Sequence, residues 1–518
     1  MVSALVAGCT TTSSDEDGNK SNAPTDGTFT MAMAADPQSL DPQMTLDGTS
    51  LTMASFAYDA LVSQKADGTF ASQLASSWET KGKDWIFTLR KDLKCADGST
   101  LTPQDVADNF SFMADPKNAS PLNGTYLAAG VKAKADDRAG TVTLSVPADT
   151  QFFLNGLALV PIVCKKGIED RKSLATTTNG TGPYKLESSA SGDRYTYVRN
   201  EGYNWGPDGA TNKEPGSPAK VIVRIVPSQS TTANLLLSGE VNAAAVSSAD
   251  QKRLQAKRLY SAGYVSPLGE MFFNQGNDHV TSDDVVRKAL TAALDLNQIR
   301  KVYTSGNGEA PRTFTPGNPP ACAGDSITSA LPSTSVEEAK SILEQAGWTV
   351  GSDGIRTKNG RKLTVSFLYL TDLIPGAASA SELAAEAWKQ IGVDVKPNGV
   401  AVNQSNEILF GTGAWDVAWT GLGVAAPNQL VSVFQGAAPP DGSNFAHLAN
   451  STYDSEVKLA QASNDNNGCE HWLKAETALV KDADVVPFAA VEYLTYGSRA
   501  QFGFVAGQFV PTSVRLKG

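Results

Sequence analysis

The spacing of apolar residues along the chain predicts strands and helices that alternate from its beginning. Residues 28–35 alternate apolar with polar side chains, which is the period of a half-buried strand, and Pro42 breaks the pattern. Residues 51–62 carry apolar side chains near helical spacing instead. Residues 84–90 alternate again, and an Ala-Asp-Gly turn closes that segment. These segments indicate a mixed α/β fold.

Capping residues mark where two of the predicted helices begin. Thr102 is suited to the N-cap, Pro103 to the first helical position, and Asp105 to the positive end of the helix dipole. Further along, Ser335 and Glu338 have the spacing of a capping box. We therefore expect helices to start at these two places.

Longer apolar patterns continue towards the carboxyl terminus. Residues 221–226 are a β-branched run typical of a strand buried on both faces, and a helix is predicted over 231–244. Residues 282–302 are strongly amphipathic and predict a single long helix. A further strand, helix and strand are predicted within 362–423.

The length of the chain calls for more than one packed unit. The chain has 518 residues, and the roughly 490 that follow a polar amino-terminal segment exceed what one core usually carries. Gly263, Pro267 and Gly269 interrupt the pattern where we expect the chain to cross between two lobes, and it is expected to return near its end. The predicted division is an amino-terminal segment 1–27, a first lobe 28–266 plus 490–518, and a second lobe 267–489.

The amino-terminal segment resembles the end of a bacterial lipoprotein signal. Small residues stand directly before Cys9 in the stretch LVAGC, as in the lipobox, where the cysteine receives a diacylglyceryl group. Residues 10–27 cannot bury enough apolar area to order themselves and read as a tether. The basic region of a signal is missing, so Met1 is expected to be an internal or misassigned start. The alternative is a frayed terminus with a free or buried cysteine.

Composition narrows the classes of partner. The formal net charge is −11 and the isoelectric point is near 5.0, and no lysine or arginine cluster offers a phosphate footprint, so nucleic acid is not expected as a partner. No stretch approaches the roughly 20 apolar residues of a membrane span. The sequence therefore predicts a soluble body that only a lipid anchor holds to the membrane.

The sequence carries no constellation typical of an enzyme. GxSxG and HExxH motifs do not occur, and no pair of cysteines has metal-ligand spacing. The scattered histidines His279, His447 and His471 are expected to be surface or structural residues. We therefore expect neither catalysis nor a cofactor nor a metal site.

Eight short segments together resemble one protein family, the extracytoplasmic solute-binding proteins of ABC importers that take oligopeptides, dipeptides and nickel. Each segment is weakly distinctive alone, but their common order spans nearly the whole chain after the tether. They are SLDP (39–42), YDALV (58–62), LASSWE (74–79), FTLRKDLKCADGSTLTPQDV (87–106), GTGPYKL (180–186), LLSGEV (236–241), VRKALTAALD (286–295) and EEAKSILEQAGW (337–348).

The resemblance implies an α/β, two-lobed periplasmic-binding-protein clamp (type II, cluster C) with mixed sheets and a hinge between the lobes. A small peptide-like or oligosaccharide-like solute would bind in the cleft, close the hinge and be delivered to a membrane permease without chemical change. We expect a monomer on the extracytoplasmic face of the bacterial membrane, anchored by lipid. The alternative is a lipid-anchored sensor or adhesin with the same fold.

Four cysteines remain if Cys9 carries lipid. In an exported protein Cys95, Cys164, Cys322 and Cys469 are expected to form two disulfides, and the sequence permits three pairings. We favour Cys95 with Cys164 and Cys322 with Cys469, because each pair then lies within one lobe of the expected architecture.

One departure from the family pattern bears on the solute. In peptide-binding members the stretch that matches Trp415, Asp416 and Gly421 continues with a tryptophan and an aspartate that pairs with the peptide's amino group. Here Leu422 replaces the tryptophan, and residues 423–426 contain no acid. A buried ammonium without a carboxylate would cost several kcal/mol, so a short free peptide held at that point is not expected.

The resemblance instead implies an aromatic site around Trp419, whose indole suits a sugar ring, a blocked or longer peptide, or an aromatic solute. If Trp419 stacks on solute, alanine there would weaken binding by about 1–3 kcal/mol; the equal alternative is a core residue. The other residues expected to face the cleft are Thr45, Asp47, Leu51 and Tyr126 from the first lobe, and Tyr493 or Tyr496 near the return crossing. The alternative for Leu51 is packing of its helix, and the alternative for Asp47 is surface exposure.

Overall fold

The computed structural model describes residues 26–147, 151–246, 248–371, 374, 376–463 and 468–517, and Cys9 with most of the predicted tether lies outside them. The described residues form a mixed α/β architecture. The helices are α1 (Gly48–Ala57), α2 (Pro103–Ala114), α3 (Phe153–Leu157), α4 (Lys165–Glu169), α5 (Gln229–Ser238), α6 (Ser248–Ala256), α7 (Asp284–Ala292), α8 (Leu296–Tyr303), α9 (Val336–Gln345), α10 (Ala377–Gln390), α11 (Val402–Glu407), α12 (Val431–Phe434), α13 (Ser451–Ala462) and α14 (Cys469–Lys481). The strands are β1 (Thr28–Met33), β2 (Val62–Gln64), β3 (Phe70–Ser72), β4 (Ala75–Lys81), β5 (Asp84–Leu89), β6 (Lys132–Asp136), β7 (Thr141–Ser145), β8 (Tyr184–Ala190), β9 (Arg194–Arg199), β10 (Lys220–Ile225), β11 (Ala243–Ala245), β12 (Tyr260–Phe273), β13 (Gly308–Glu309), β14 (Thr349–Val350), β15 (Arg356–Lys358), β16 (Arg361–Lys362), β17 (Thr364–Leu370), β18 (Asp394–Val400), β19 (Val417–Thr420), β20 (Val485–Gly497), β21 (Ala500–Val505) and β22 (Gln508–Leu516).

One large mixed sheet runs through the protein in the order β18-β17-β19-β12-β20-β11-β1-β10-β9-β8, with β13 paired to β20. Its two longest strands, β12 and β20, pair antiparallel from Tyr260 opposite Gly497 to Phe272 opposite Val485. Each has a further neighbour at its carboxyl end: β19 pairs with that end of β12, and β11 with that end of β20. The β12–β20 ribbon therefore joins two groups of strands.

The ribbon is irregular at its middle. Its register shifts between Pro267 and Gly269 and again between Gly269 and Glu270, and Pro267 lies opposite Ala490. A Cβ atom on Gly269 would come within 2.6 Å of the Phe488 ring, so this close approach requires glycine. Such irregularities bend a strand and increase its local twist.

Buried apolar residues form separate clusters on the two sides of this irregularity. We call residues 26–266 and 490–517 the first half, and residues 267–489 the second half. Two large clusters lie in the first half, around Phe110 and around Phe56, and two in the second half, around Phe367 and around Phe434. Among the described residues, Phe152 alone belongs to the first half and yet lies in a second-half cluster. Each half thus has its own core.

Two disulfides join Cys95 to Cys164 in the first half and Cys322 to Cys469 in the second half. These are the pairs favoured from the sequence. Each disulfide therefore constrains one half and leaves the ribbon as the covalent route between them. No helix of the described residues has both the length and the apolar character needed to cross a membrane.

Several helix boundaries differ from those predicted. The single helix expected over 282–302 is wrong, because Asp295 accepts hydrogen bonds from the backbone N–H groups of Asn297 and Gln298, both at 3.0 Å, and so starts a second helix. The helix expected over 231–244 ends at Ser238, because Gly239 adopts a left-handed φ of 79°.

The two predicted capping residues, Thr102 and Ser335, are the N-caps of α2 and α9. Thr102 and Asp105 form the full reciprocal capping box of α2. Ser335 accepts the Glu338 N–H at 3.1 Å, but the Glu338 carboxylate accepts a bond from Ser333 instead of returning one to the N-cap. The second box is therefore half formed.

Candidate functional site

Three tyrosines come together beside the ribbon. Tyr264 on β12 lies directly opposite Tyr493 on β20, and their rings stack with centroids 5.5 Å apart and planes 25° apart. Burial, followed by the neighbouring Tyr493 and Tyr126, raises the pKa of Tyr264 above its ordinary value, so Tyr126 belongs to the surroundings of Tyr264. Tyr493 is 43% exposed. We call Tyr126, Tyr264 and Tyr493 the tyrosine cluster.

The sequence predicted two members of this cluster. Tyr126 was expected to face the cleft, and so was Tyr493 or Tyr496. Tyr126 and Tyr493 both act on the pKa of Tyr264, although 367 residues separate them in the sequence. Tyr264 was missed. Its nearby breaks at Gly263 and Pro267 marked the crossing, but only the strand register shows that it stacks on Tyr493.

Tyr496 is a correction. Its side chain is 1% exposed and belongs to an apolar cluster with Leu236 and Ala244. Tyr496 lies opposite Ala244 where β20 pairs with β11. Residues three apart on a strand point to opposite faces, so Tyr493 and Tyr496 cannot both face the same space. The structure keeps Tyr493 at the surface.

Trp419 is also a correction. Its side chain is 1% exposed, and its ring centroid lies 4.8 Å from that of Phe488, 4.9 Å from Phe367 and 5.7 Å from Tyr303. Strand β19 lies between β17 and β12 in the large sheet, so both of its edges are paired. Its successive residues Val417, Ala418 and Trp419 are all buried, so both of its faces are covered as well. The expectation that Trp419 offers its ring to solute is wrong in this structure, and the core alternative holds.

The loop that ends at α1 presents apolar side chains. Asp47 accepts the Ser50 N–H at 2.8 Å as N-cap of α1, and buried Thr45 accepts the Asp47 N–H at 3.0 Å through its hydroxyl. Both polar side chains thus support the loop itself. Met44 is 38% exposed and Leu46 is 43% exposed. The predicted residues Thr45 and Asp47 therefore fix the shape of a surface that Met44 and Leu46 form.

A cavity of about 130 Å³ lies against α1 in the first half. Its wall includes Leu51 and Ser55 from α1, Asp59, and residues 505, 506 and 508–512 at the turn of the last hairpin. Leu51 is buried and lines this cavity. Its burial agrees with the alternative that Leu51 packs its helix, and its side chain also borders the cavity. The wall is mainly apolar side chains and backbone.

The Asp59 carboxylate is committed to the fold. Burial raises its pKa, and the hydrogen bonds that it accepts oppose this shift. With both oxygens paired, Asp59 has no oxygen left for a solute in the cavity. The donors are Gln73 Nε2 at 2.7 Å, Thr181 Oγ1 at 2.8 Å, Tyr203 OH at 2.9 Å and Trp205 Nε1 at 3.1 Å.

The two halves also touch away from the ribbon. Gln151 of the first half accepts the Trp472 indole N–H at 2.9 Å and donates to the Ser463 carbonyl at 3.1 Å. The Asn428 side chain donates to the Gln151 carbonyl at 3.2 Å. A further bridge runs from the Gln429 side chain to the backbone carbonyl next to Tyr126. These bonds join the two halves at residues outside the ribbon.

Two consecutive phenylalanines, Phe152 and Phe153, pack in the cores of different halves. Phe152 adopts a left-handed φ of 59°, is 5% exposed, and lies in a second-half apolar cluster with its ring 6.3 Å from Trp472. Phe153 lies in a first-half cluster with its ring 5.2 Å from Trp85. We call Gln151, Phe152, Asn428 and Trp472 the closure contact.

His279 has a structural role. Its Nδ1 lies 3.0 Å from Asp416 Oδ1, and its Nε2 lies 3.1 Å from Asn274 Nδ2. The other Asp416 oxygen accepts the Ser366 N–H at 2.8 Å. Both ring nitrogens are therefore engaged within the fold. No group of three potential metal ligands occurs among the residues that the structure describes.

Two buried glutamates of the second half have raised pKa values. Burial raises the pKa of Glu270 to about 8; the bond from the Leu422 N–H opposes this and nearby Glu476 adds to it. Burial raises the pKa of Glu476 to about 7, opposed by bonds from Ser326 Oγ and the Phe314 N–H. Both carboxyls hold protons at pH values where an exposed glutamate is ionised.

This burial predicts that stability falls as pH rises. An acid whose pKa is raised on folding contributes most below its unfolded value, here 4.5, and loses that contribution up to its folded value, about 7 for Glu476. We expect Glu476→Gln to raise the free energy of unfolding by on the order of 2 kcal/mol at pH 8 and by little at pH 4.5. Urea unfolding at both pH values measures this. A gain of equal size at both pH values, or the same pH dependence in the exposed Glu470→Gln on the same helix, would contradict it.

Comparison with known proteins agrees with this architecture. Residues 69–442 match the family described as bacterial extracellular solute-binding proteins, family 5, middle part. The chain is 28% identical over 487 residues to the periplasmic oligopeptide-binding protein OppA of Escherichia coli (strain K12), covering 87% of this chain and 84% of that protein. It is 26% identical over 359 residues to the nickel-binding periplasmic protein of the same organism, covering 66% of this chain and 65% of that protein.

A solved structure shows a similar fold. The ABC transporter substrate binding protein CtaP from Listeria monocytogenes superposes with a TM-score of 0.77 at 20% identity, covering 95% of this chain and 100% of that chain. At this level of identity the likeness concerns the course of the backbone alone.

Proposed function

Because the chain belongs to family 5 of the bacterial extracellular solute-binding proteins, we propose that it captures a peptide-like or oligosaccharide-like solute between its two halves and delivers it to the membrane permease of an ABC importer. One observation carries this proposal. Two halves with separate cores are joined by the β12–β20 ribbon and meet again at the closure contact. In a space bounded in this way, Phe152 is the only core residue among those described that would have to leave its cluster when the halves open.

The ribbon supplies the proposed hinge. The proposed lobes are 28–266 plus 490–518 and 267–489, and their boundaries fall where Pro267 lies opposite Ala490, at the shifts of register. A solute that touches both lobes gains contacts only when they meet, so binding shifts the population towards the closed form. The permease then distinguishes loaded from empty protein by shape.

The proposed solute contacts are aromatic and apolar. The tyrosine cluster offers flat ring faces with hydroxyl groups at their edges, which suits a sugar ring or a peptide backbone with apolar side chains. Met44 and Leu46 offer exposed apolar side chains on the first half. The relative OppA is named for oligopeptides, which supports peptides as the first solutes to test.

The extracytoplasmic location agrees with the family, and attachment by lipid at Cys9 is part of the proposal. The small residues before Cys9 and the polar segment after it support this anchor. A lipid tether would hold the clamp near its permease while leaving both lobes free to move. We propose that the protein acts as a monomer there.

Thermal unfolding against a panel of peptides, oligosaccharides, amino acids and metal chelates tests the binding function. A solute that binds only the folded protein is expected to raise Tm, since a concentration of 100 times Kd stabilises by about 2.7 kcal/mol. Scattering with the same solute should show a smaller radius of gyration. A panel without any rise in Tm, or a bound protein of unchanged radius, would contradict the proposed clamp. Loss of uptake of that solute on gene deletion then separates transport from sensing or adhesion.

A further inference from the structure

The cavity beside α1 is built by the first half. Its wall comes from α1, β2, the segment after α3, and the hairpin of β21 and β22, together with single residues of other loops. It measures about 130 Å³ and is partly open to solvent. Every described residue of the wall belongs to the first half, so a molecule bound there would not need the second half.

The wall is apolar and rich in rings. Tyr58, Tyr203 and Phe509 bring three aromatic side chains to it, and four prolines contribute as well. A proline ring fixes the backbone φ, so these parts of the wall are stiff. Pockets that bind small molecules are lined mainly by apolar and aromatic side chains, with a few polar groups that orient the ligand. The composition of this wall is typical of such a pocket.

The hydrogen bonds to Asp59 fix the shape of the wall. The four donors lie directly after β3, in the segment GTGPYKL (180–186), and at Tyr203 and Trp205. The carboxylate therefore ties three separate segments of the chain to the residues that follow α1. A wall held from several sides in this way does not readily collapse into the cavity.

The neighbouring Tyr58 is held by the same part of the chain. Its hydroxyl accepts the Asn179 N–H at 3.2 Å. A Cβ atom on Gly180 would lie 2.4 Å from the Ala57 carbonyl oxygen, so the close approach of this segment to the end of α1 requires glycine. The GTGPYKL segment thus supports one side of the cavity.

The charge and size of the cavity favour a small neutral ligand. Among its described residues the wall contains no lysine, arginine, histidine or glutamate. Its carboxylate, Asp59, accepts two hydrogen bonds at each oxygen. A charged ligand would lose its water without gaining an ion partner, which costs free energy. The volume suits a single ring, since an apolar cavity of about 150 Å³ binds benzene.

We propose that this cavity is a second binding site of the protein and takes a neutral compound with a single aromatic ring. Ser55 Oγ in the wall donates to the Thr52 carbonyl at 2.7 Å and keeps its lone pairs as acceptors. The site therefore also suits a ligand that carries one O–H or N–H donor, such as a phenol. This ligand differs from the solute of the proposed function, because it contacts one half only and its binding does not require closure.

Titration of the complete protein with phenol and with benzoate tests this proposal. Both probes carry one aromatic ring, and benzoate adds a negative charge. By isothermal titration we expect one phenol to bind with a Kd of about 0.1–1 mM. Benzoate should bind at least tenfold more weakly, because the wall has no cation to pair with it.

Two variants fill the cavity from different segments. Ser55→Leu and Ala158→Leu replace half-buried wall residues by a larger side chain, and each should weaken phenol binding at least tenfold. Thr52→Leu is the matched control, because Thr52 is half-buried on the same helix and lies outside the wall. It should keep the phenol affinity of the unmodified protein. Thermal unfolding shows which variants are folded, and either filled variant is sufficient.

Phe152→Ala separates this site from the space between the halves. It removes a ring of the closure contact and should leave the Kd of phenol unchanged. A tenfold loss of phenol affinity in this variant would place phenol between the halves and overturn the proposal. Absence of saturable phenol binding, benzoate binding as tight as that of phenol, or an unchanged phenol affinity in a folded Ser55→Leu or Ala158→Leu protein would overturn it too. None of these results bears on the capture of a solute between the halves, so the proposed function is tested separately.

Discussion

Replacing Trp419 by alanine is expected to lower the free energy of unfolding by about 3–5 kcal/mol and to leave the solute affinity of the folded protein unchanged. The indole is 1% exposed and contacts Phe367, Phe488 and Tyr303. Truncation removes these aromatic contacts and leaves a cavity between β19 and its neighbours, and a closely packed sheet core can relax only partly to fill it.

Tyr493→Ala is the control variant for Trp419→Ala. Tyr493 is 43% exposed, so its truncation should cost less than about 1 kcal/mol of stability while weakening solute binding. Urea unfolding and calorimetric titration of both variants separate the two roles. A Trp419→Ala protein of normal stability with solute binding weakened tenfold would return Trp419 to the binding site.

Local signals were sufficient where the deciding interaction is local. The N-cap of α2 requires only Thr102 and its third neighbour Asp105, and Thr102 caps the helix as predicted. The break at Asp295 also had a local cause, since an aspartate can cap a new helix. The amphipathic pattern on either side nevertheless continues across the break, so it hid the boundary. Periodicity finds the buried face of a helix more reliably than it finds the ends.

The sequence could not predict the features of the site that depend on which strands pair. Trp419 follows an alternating pattern, and the pattern cannot say that β19 lies inside the large sheet with both of its faces buried. The stack of Tyr264 on Tyr493 depends on register over more than 200 residues of sequence. A shift of one residue would turn every side chain to the opposite face. For the same reason the sequence could not show that Glu270 accepts the Leu422 N–H.

The order of segments predicted more than any single pattern. It led to the two-lobed architecture, and the lobes in turn led to the favoured disulfide pairs, which the structure contains. The sequence contains no comparable pattern that predicts the closure contact. Gln151 and Phe152 lie in a stretch without regular periodicity, and their partners Asn428 and Trp472 are distant in sequence. Contacts that form between two packed units leave little trace in the pattern of either one.

Phe152→Ala is expected to weaken solute binding by about 30- to 150-fold, which corresponds to about 2–3 kcal/mol for a buried aromatic contact between two surfaces. Phe152 belongs to the first half, but its ring packs in a core cluster of the second half. It therefore stabilises only the closed arrangement. Its loss leaves each half intact and shifts the population towards the open form, and affinity falls with the fraction of closed protein.

Phe153→Ala provides a control one residue away. Phe153 packs beside Trp85 inside the first half, so its truncation should lower the free energy of unfolding by about 3–5 kcal/mol without changing the Kd of the folded protein. Calorimetry gives the two affinities, and scattering should show a larger radius of gyration for Phe152→Ala alone. Equal affinity in both variants would mean that Phe152 does not govern closure. The left-handed backbone at Phe152, with φ at 59°, would then serve only to turn the chain into α3.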